Sequence, residues 1–205
     1  MTPARRILET VHLTFAGLWL GVLVMTGSAA AVIFPAMHKL DPRLPGYAGY
    51  SGEHWLLAAG HIAAPLFWIA DAIQLGCALI CGLTLGLIFV SPVPWRRPIG
   101  SSIRLLALFS AMGLLAYSLL VLSPRMNSNL AEFWAAAKLG DTPAADAAQA
   151  LFNADHPTAT SILAATFVAV LVLLTSGIFS AVGSPPPARG QERPSRRLET
   201  PELAR

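Results

Sequence analysis

Four long apolar segments alternate with short polar stretches along the chain. The apolar segments run from Ile7 to about Met37, from about Trp55 to Val90, from Ile103 to Leu122 and from about Thr158 to Val182. Each reaches the ~20 residues that a helix needs to cross a bilayer. The stretches between them are rich in Pro, Gly, Asn or charge, which is typical of turns and loops. The pattern therefore predicts an all-α protein, a four-helix transmembrane bundle.

The first segment follows Arg5 and Arg6, a start that is also typical of a secretory signal peptide. Its apolar run is longer than the roughly 7–15 residues of a signal-peptide core, so we expect it to be retained as the first span. Residues 1–182 then form one four-span transmembrane domain. Residues 183–205, "GSPPPARGQERPSRRLETPELAR", are rich in Pro and charge and predict a disordered basic cytoplasmic tail.

The third connection is long and contains two helix-forming stretches. "NLAEFWAAAKLG" places apolar side chains such as Phe133 and Trp134 at helical spacing. "DTPAADAAQALF" opens with Thr142 before Pro143, a good N-cap followed by a good first helical residue. We therefore expect one or two short interfacial helices between spans three and four, anchored at the outer membrane surface by Trp134.

Spans one and two are longer than a membrane requires. At 1.5 Å per residue they reach roughly 46 and 54 Å, whereas the hydrocarbon core of a bilayer is ~30 Å thick. We expect the excess to project on the outer side, where "HKLDPRLPGYAGYSGE" joins the two spans.

The distribution of positive charge predicts the orientation. Four of the 14 Lys and Arg residues fall on one side of the membrane, namely Lys39, Arg43, Arg125 and Lys138. The other ten fall on the side of the termini, namely Arg5, Arg6, Arg96, Arg97, Arg104, Arg189, Arg193, Arg196, Arg197 and Arg205. Cytoplasmic loops carry the excess of positive charge, so we expect a multi-pass cell-membrane protein with both termini in the cytoplasm.

The composition supports the membrane assignment. Only 12% of the residues are charged, about half the usual fraction for a soluble domain, and the mean hydropathy is +0.59. The net charge of +3 comes mostly from Arg at the ends of spans and in the tail, where topology explains it. We therefore expect a lipid bilayer as the partner and no nucleic acid.

Asp71 lies well inside span two, where an ionised carboxylate is costly. Gln74 follows one turn later and can hydrogen-bond it. Intramembrane ionisable residues are functional candidates, so Asp71 could carry a proton or a cation. The alternative is a structural hydrogen-bonding group that ties helices together.

Three histidines gather at the predicted outer ends of the spans: His54, His61 and His156. Imidazole binds zinc, copper and iron, so these residues are candidate ligands for a metal such as copper or for haem. The alternative is that they are half-exposed residues at wet helix ends, and the chain has no H-E-x-x-H or C-x-x-C motif. His12 lies toward the cytoplasm, three residues after Glu9, with which it could pair.

Small residues recur at helical spacing in the first two spans. Gly17 and Gly21 form "GLWLG", and Gly82 and Gly86 form "GLTLG". Glycines at this spacing allow helices to approach closely, either within the bundle or across a dimer. A homo-oligomer is therefore one option.

Several stretches together resemble the transmembrane protein 205-like family. They are "VHLTFAGLWLGVLVMTGSAAAVIFPAM" in span one, "SPRMNSNLAEFWAAAKLGD" after span three and "LFNADHPTATSIL" at the entry to span four. The resemblance covers roughly residues 8–180 and implies a four-helix membrane domain with no assigned biochemical activity. The positions that match the family are His12, Gly17, Gly21, Pro124, Arg125, Asn127 and His156.

Three functions are compatible with these features. The first is a non-enzymatic integral membrane protein that moves or senses a small solute or a metal. The second is a redox membrane protein that binds haem or a metal, and it is the only enzymatic alternative. The third is a membrane scaffold that binds a protein partner through its outer helices.

Overall fold

The computed structural model describes residues 3–90 and 98–182, and this part of the chain contains helices and no strand. The predicted disordered tail, residues 183–205, lies outside the described residues. The helices are α1 (Pro3–Leu40), a short 3₁₀ turn (Pro45–Tyr47), α2 (His54–Val90), α3 (Pro98–Tyr117), α4 (Ser123–Leu139) and α5 (Thr142–Val182). The described residues therefore confirm the predicted all-α class. Four helical stretches are long and apolar enough to cross a membrane.

The short interfacial helices expected between spans three and four are not present, and that prediction is wrong. α4 continues α3 through a π-helical turn, Ser118–Leu122, so that one rod runs from Pro98 to Leu139. Gly140 and Asp141 then make a tight turn, and α5 continues without interruption through the fourth span. The π turn comes directly before Pro124, whose ring would clash with the carbonyl of Leu120 in a regular α-helix. A π turn in place of regular α-helix before Pro124 lets the rod continue instead of ending there.

The helices are arranged as two antiparallel hairpins. α1 packs along most of α2, and the α3–α4 rod packs along α5. The hairpins meet mainly where α1 contacts α5, while α2 and α3 touch each other less. One end of the bundle contains residues 41–53 and the α4–α5 turn, and we call it the distal end. The opposite end, where α1 begins and α5 ends, is the proximal end.

The buried residues form two separate clusters. The proximal core consists of Ala16, Trp19, Leu23, Cys77, Ala78, Cys81, Leu85, Ala107, Leu108, Ala111, Leu115, Val170 and Leu173. The head core lies at the distal end and consists of Tyr50, Leu57, Phe133, Ala137, Ala145 and Ala148. Outside the proximal core, large apolar side chains such as Trp68, Leu106 and Phe109 are exposed, as expected for a surface in contact with lipid tails.

The α4–α5 turn closes tightly over the loop between α1 and α2. Gly140 ends α4 in the left-handed conformation with φ of 77°, and its N–H reaches back to the carbonyls of the last helical turn. A Cβ at Gly140 would lie 3.2 Å from the carbonyl oxygen of Gly49. Arg125 on α4 makes a two-pronged ion pair with Asp155 on α5, with Nε–Oδ2 at 2.7 Å. These contacts hold together the distal part of the chain, which we call the head (residues 41–60 and 123–156).

Candidate functional site: a polar seam between the first two helices

The face that α1 buries against its neighbours contains ionisable residues. Its buried residues are Glu9, His12, Ala16, Trp19 and Leu23, spaced alternately by three and four positions. This spacing keeps one stripe of a helix facing a partner. α2 presents a matching stripe that includes Gln74, Cys77, Cys81, Thr84 and Ile88. We call the contact between the two stripes, together with Asp71 and Arg104, the seam.

His12 occupies the proximal part of the seam and is completely buried. Its Nδ1 lies 3.2 Å from the Cys81 carbonyl oxygen and 3.1 Å from the Thr84 hydroxyl. The Thr84 hydroxyl donates its own proton to the Ile80 carbonyl, and so it can accept one from His12. Arg104 Nε donates to His12 Nε2 at 3.3 Å. Because Nε2 accepts and Nδ1 donates, the geometry fits a neutral imidazole with its proton on Nδ1.

Arg104 connects α3 to this site and is only 1% exposed. Besides its bond to His12, it places Nη2 2.8 Å from Glu9 Oε2. The two atoms are close, but their alignment does not meet hydrogen-bond geometry, so the contact is mainly electrostatic. The pair adds no net charge to the bundle interior. Each ion depends on the other, because an unpaired charge buried in a low-dielectric interior is strongly destabilising.

Gly177 on α5 covers the Arg104 side chain. A Cβ at this position would lie 2.7 Å from Leu13 Cδ2 and 3.6 Å from Arg104 Nε. The missing side chain therefore lets α5 pass close to both α1 and α3. Four helices thus enclose the proximal end of the seam, and Arg104 has no direct route to solvent.

The distal end of the seam is a second polar group. Trp19 Nε1 donates to Gln74 Oε1 at 3.3 Å, and Gln74 Nε2 donates to Asp71 Oδ1 at 3.4 Å. Trp19 and Gln74 are buried, while Asp71 is half-buried. Gln74 thus joins α1 to the Asp71 carboxylate through its two amide atoms.

The seam extends over most of the depth of a membrane. Asp71 and Thr84 are separated by 13 positions on α2, which corresponds to about 20 Å along the helix. The hydrocarbon core of a bilayer is ~30 Å thick. Between the two polar groups lie Ala16 and Cys77, with the thiol of Cys81 donating to the His12 carbonyl at 3.8 Å. The hydrogen bonds of the described residues therefore form two groups rather than one continuous chain.

The three candidate metal-binding histidines have different surroundings. His54 accepts from the Leu44 N–H at Nδ1 and donates to the Tyr50 carbonyl at Nε2, so both ring nitrogens hold the α1–α2 loop. His61 pairs its Nε2 with the Tyr47 hydroxyl at 2.7 Å and lies over the Trp134 ring at a centroid distance of 4.1 Å. His156 is exposed on α5. Within residues 3–90 and 98–182, no three His, Cys, Asp or Glu side chains are grouped as a metal site would need.

Most glycines of the two small-residue motifs make no close contact with another helix of the monomer. A Cβ at Gly17, Gly21 or Gly86 would meet no atom within 4 Å, and one at Gly82 would make ordinary contact with Met112 on α3. Close approach of helices within the monomer therefore does not require three of the four glycines. Of the other family-matching positions, Pro124, Arg125 and Asn127 lie exposed at the start of α4.

The sequence did not reveal Arg104 as part of a site. We counted it among the cytoplasmic cations because it lies near the start of span three, but the structure buries it. Without it, nine cations remain on the side of the termini against four. A signal was present in the sequence: Arg104 shares a helix face with the buried Ala107, Leu108 and Ala111. Thr84 and Cys81 were missed because neither is ionised at neutral pH in an ordinary setting.

No family model, curated protein or solved structure matches this chain. The resemblance to the transmembrane protein 205-like family therefore remains an expectation from the quoted stretches. The candidate site rests on the geometry of the seam alone.

Proposed function

We propose that the protein is a non-enzymatic integral membrane protein that moves protons across the cell membrane through the seam. The observation that carries this proposal is the buried Glu9–Arg104–His12 group between helices that are apolar enough to span a bilayer. Ionisable residues inside a membrane are rare and mark ion or proton pathways. In this proposal the distal end faces outward, both termini are cytoplasmic, and the chain is a member of the transmembrane protein 205-like family.

The chemistry of the seam suits protons because it has a proton acceptor toward each end. Asp71 provides a carboxylate at the distal end, and among the described residues a single hydrogen bond, from Gln74, is directed at it. His12 provides an imidazole at the proximal end. Its Nε2 can take up a proton only if Arg104 first moves away, because the same lone pair accepts from Arg104.

In this proposal the pathway is closed in the structure, because no hydrogen bond of the described residues connects its two polar groups. The two polar groups lie about 10 Å apart along α1, judged from the seven positions between His12 and Trp19. Proton transfer between them therefore requires water to enter between α1 and α2. Displacement of Arg104 from His12 is the proximal step that this geometry implies.

A purely structural seam is the competing explanation. Hydrogen bonds between membrane helices contribute modestly, about 0.6 kcal/mol on average. Neutral side chains would supply that much without the cost of burying Glu9 and Arg104 as ions. The use of an ion pair where neutral groups would suffice favours a role for the charges beyond packing.

The test is proton flux in reconstituted vesicles. The purified protein is placed in liposomes containing a pH-sensitive dye, and a potassium gradient with valinomycin drives proton entry. We expect the wild-type protein to acidify the vesicles several-fold faster than empty liposomes do. Asp71→Asn and His12→Gln should each lower the rate to that of empty liposomes, because both keep a polar side chain but remove the proton acceptor.

Glu132→Gln is the matched control, because it makes the same carboxylate-to-amide change at an exposed position on α4. It should leave the flux unchanged. Size-exclusion profiles and circular dichroism show that each variant is folded before flux is compared. Absence of flux from folded wild-type protein would overturn the proposed function, and full flux from both seam variants would overturn the role of the seam.

A further inference from the structure

Every long helix carries a feature that weakens helical hydrogen bonding in its interior. α1 contains Pro35, α2 contains Pro65 and α5 contains Pro157. The α3–α4 rod contains the π turn Ser118–Leu122 followed by Pro124. Beyond the first turn of a helix, the described helices contain no other proline. Each proline removes one backbone hydrogen bond and disturbs the turn before it.

The contacts between helices place these features at similar heights in the bundle. The ion pair between Arg125 and Asp155 brings Pro124 level with Pro157. Along α1 and α5, one shallow hollow is lined by both Ala31 and Thr160, which places Pro35 near the same level. α2 contributes a slightly more proximal position. Trp19 bonds to Gln74 and His38 stacks against Trp55, so Pro65 faces residue 28 of α1.

The weakened positions therefore form a layer across the whole bundle. On α1, the positions that face them span residues 28–35, or about 10 Å. We call this the proline layer, and it consists of Pro35, Pro65, the π turn with Pro124, and Pro157.

The two clusters of buried apolar residues lie on either side of this layer. The proximal core ends below it, with Leu23 on α1 and Leu115 on α3 as its most distal members on those helices. The head core begins above it, with Leu57 on α2 and Phe133 on α4. The buried apolar residues of the layer itself, Leu122 in the π turn and Ala63 beside Pro65, belong to neither cluster, although Leu119 of the π turn packs against the proximal core.

Two shallow hollows flank α5 at the same height. One, of about 430 Å³, lies against α3 and is lined by Pro157, Thr158 and Ser161. The other, of about 440 Å³, lies against α1 between Leu23 and Ala31, so that it overlaps only the proximal part of the layer.

We propose that the proline layer is a hinge about which the head tilts on the proximal bundle. Two observations support it: the weakened turns of all four helical stretches lie at one height, and the two clusters of buried apolar residues lie on either side of it. A helix can bend at such a point without breaking a backbone hydrogen bond, because proline has no N–H to donate.

Asp71 lies six positions proximal to Pro65 on α2, about 9 Å away. In terms of the proposed function, on which this last step alone rests, tilting would open the distal end of the seam to water.

The test measures the distance distribution between spin labels on either side of the layer, and it requires no transport. Leu106 and Leu139 are exposed positions on the same rod, on opposite sides of the π turn. Cysteines at these positions, with Cys77 and Cys81 replaced by alanine, carry the labels in nanodiscs. We expect a distribution at least twice as wide as that of a pair within the head, Leu139 and Leu151.

Restoring the helices should narrow the distribution. The changes Pro65→Ala, Pro124→Ala and Pro157→Ala return backbone donors to three helices, and the width for the Leu106–Leu139 pair should fall to that of the head pair. Pro143→Ala is the control, because Pro143 lies in the first turn of α5, where no helical bond is lost. A cross-layer pair as narrow as the head pair in the wild type would overturn the hinge. A broad distribution that the alanine changes leave unaltered would overturn the role of the prolines. Neither result depends on whether protons move.

Discussion

The ion pair between Glu9 and Arg104 dominates the energetics of single residues in the seam. Both side chains are buried, and the Arg104 guanidinium also holds the imidazole of His12 in one tautomer. Removal of one ion leaves the other buried without compensation, whereas removal of both leaves a neutral, apolar contact. Removal of one ion should therefore destabilise the protein much more than removal of both.

Arg104→Ala is expected to destabilise the protein by about 3–5 kcal/mol, because it leaves Glu9 as a buried, unpaired carboxylate. The double variant Arg104→Met with Glu9→Gln should regain most of that loss. Thermal unfolding in detergent, compared for the wild type, Arg104→Met, Glu9→Gln and the double variant, measures the coupling between the residues. A destabilisation of the double variant equal to the sum for Arg104→Met and Glu9→Gln would mean that the pair is not coupled.

Tyr50 gives the head a dependence on alkaline pH. Burial of the phenol, followed by the nearby Asp146 carboxylate, raises the pKa of Tyr50 above its usual value of about 10. A raised pKa in the folded state means that its contribution is complete below about pH 10 and is lost as the pH rises through the folded-state value. We expect the unfolding temperature to fall more steeply above pH 10 in the wild type than in Tyr50→Phe.

Thermal scans between pH 8 and 11.5 measure this difference. Tyr117→Phe is the control, because Tyr117 is exposed on α3 and should not alter the slope. Parallel curves for the wild type and Tyr50→Phe would contradict the prediction.

At the scale of elements, the turn between α4 and α5 determines how the two longest helical stretches are joined. Gly140 has φ of 77°, a conformation that costs other residues about 1–2 kcal/mol. Gly140 also lies against the Gly49 backbone, where a Cβ on Gly140 would be 3.2 Å from the Gly49 carbonyl oxygen. Either feature alone would favour glycine at this position.

Gly140→Ala is therefore expected to destabilise the head by about 2 kcal/mol, from strain at positive φ together with the close contact to Gly49. Chemical denaturation followed by the fluorescence of Trp134, which lies in the head, reports the change. Gly46→Ala is the matched control, since a Cβ at Gly46 meets no atom within 4 Å. Loss of stability of the same size in both variants would show that the Gly140 conformation is not the cause.

The element scale also shows why the connection between spans three and four was predicted incorrectly. The sequence "NLAEFWAAAKLG" was correctly interpreted as helical, and α4 covers it. Residues 123–157 were predicted to be a connection, because this stretch between spans three and four is rich in Pro, Gly, Asn and charge. In the structure Pro124 follows a π turn and Pro157 lies inside α5, so both helices continue through them. Local propensity cannot reveal this, since packing of Phe133 and Ala137 against the α1–α2 loop stabilises the continuation.

At the scale of the whole molecule, the helices are longer than a bilayer is thick. α1 has 38 residues and α2 has 37, or about 57 and 56 Å, against ~30 Å of hydrocarbon. The proposed topology places the excess, with the head, outside the cell. The remaining bias of positive charge toward the side of the termini supports that orientation even without Arg104.

A membrane-impermeant thiol reagent tests the topology in intact cells. We expect it to label a cysteine at Gly46, in the exposed α1–α2 loop, and not one at Ser195, near the C-terminus. After the cells are permeabilised, both positions should react to the same extent. Labelling of the Ser195 cysteine from outside intact cells would reverse the proposed orientation.

The four spans could be recognised in the sequence because hydropathy is a local property. A helix in lipid must satisfy its backbone hydrogen bonds within its own segment, so a run of ~20 apolar residues is sufficient to indicate a span. The same local reasoning identified Asp71 and Gln74, which are polar residues at an apolar depth. It also identified Glu9 and His12 as neighbours on one helix face.

The partners of these residues were decided by the tertiary structure. Arg104 and His12 are 92 positions apart, and their contact depends on the register of α3 against α1 and on the space that Gly177 leaves on α5. Likewise, Trp19 reaches Gln74 only because α1 and α2 are aligned in one of several possible registers. Hydropathy is nearly unchanged when one helix slides by a turn along another, but hydrogen bonds and ion pairs are not. The sequence by itself therefore determined that four helices form and that Glu9, His12, Asp71 and Gln74 lie on them, while only the packing of the helices decided that Arg104 is buried and which of these residues meet.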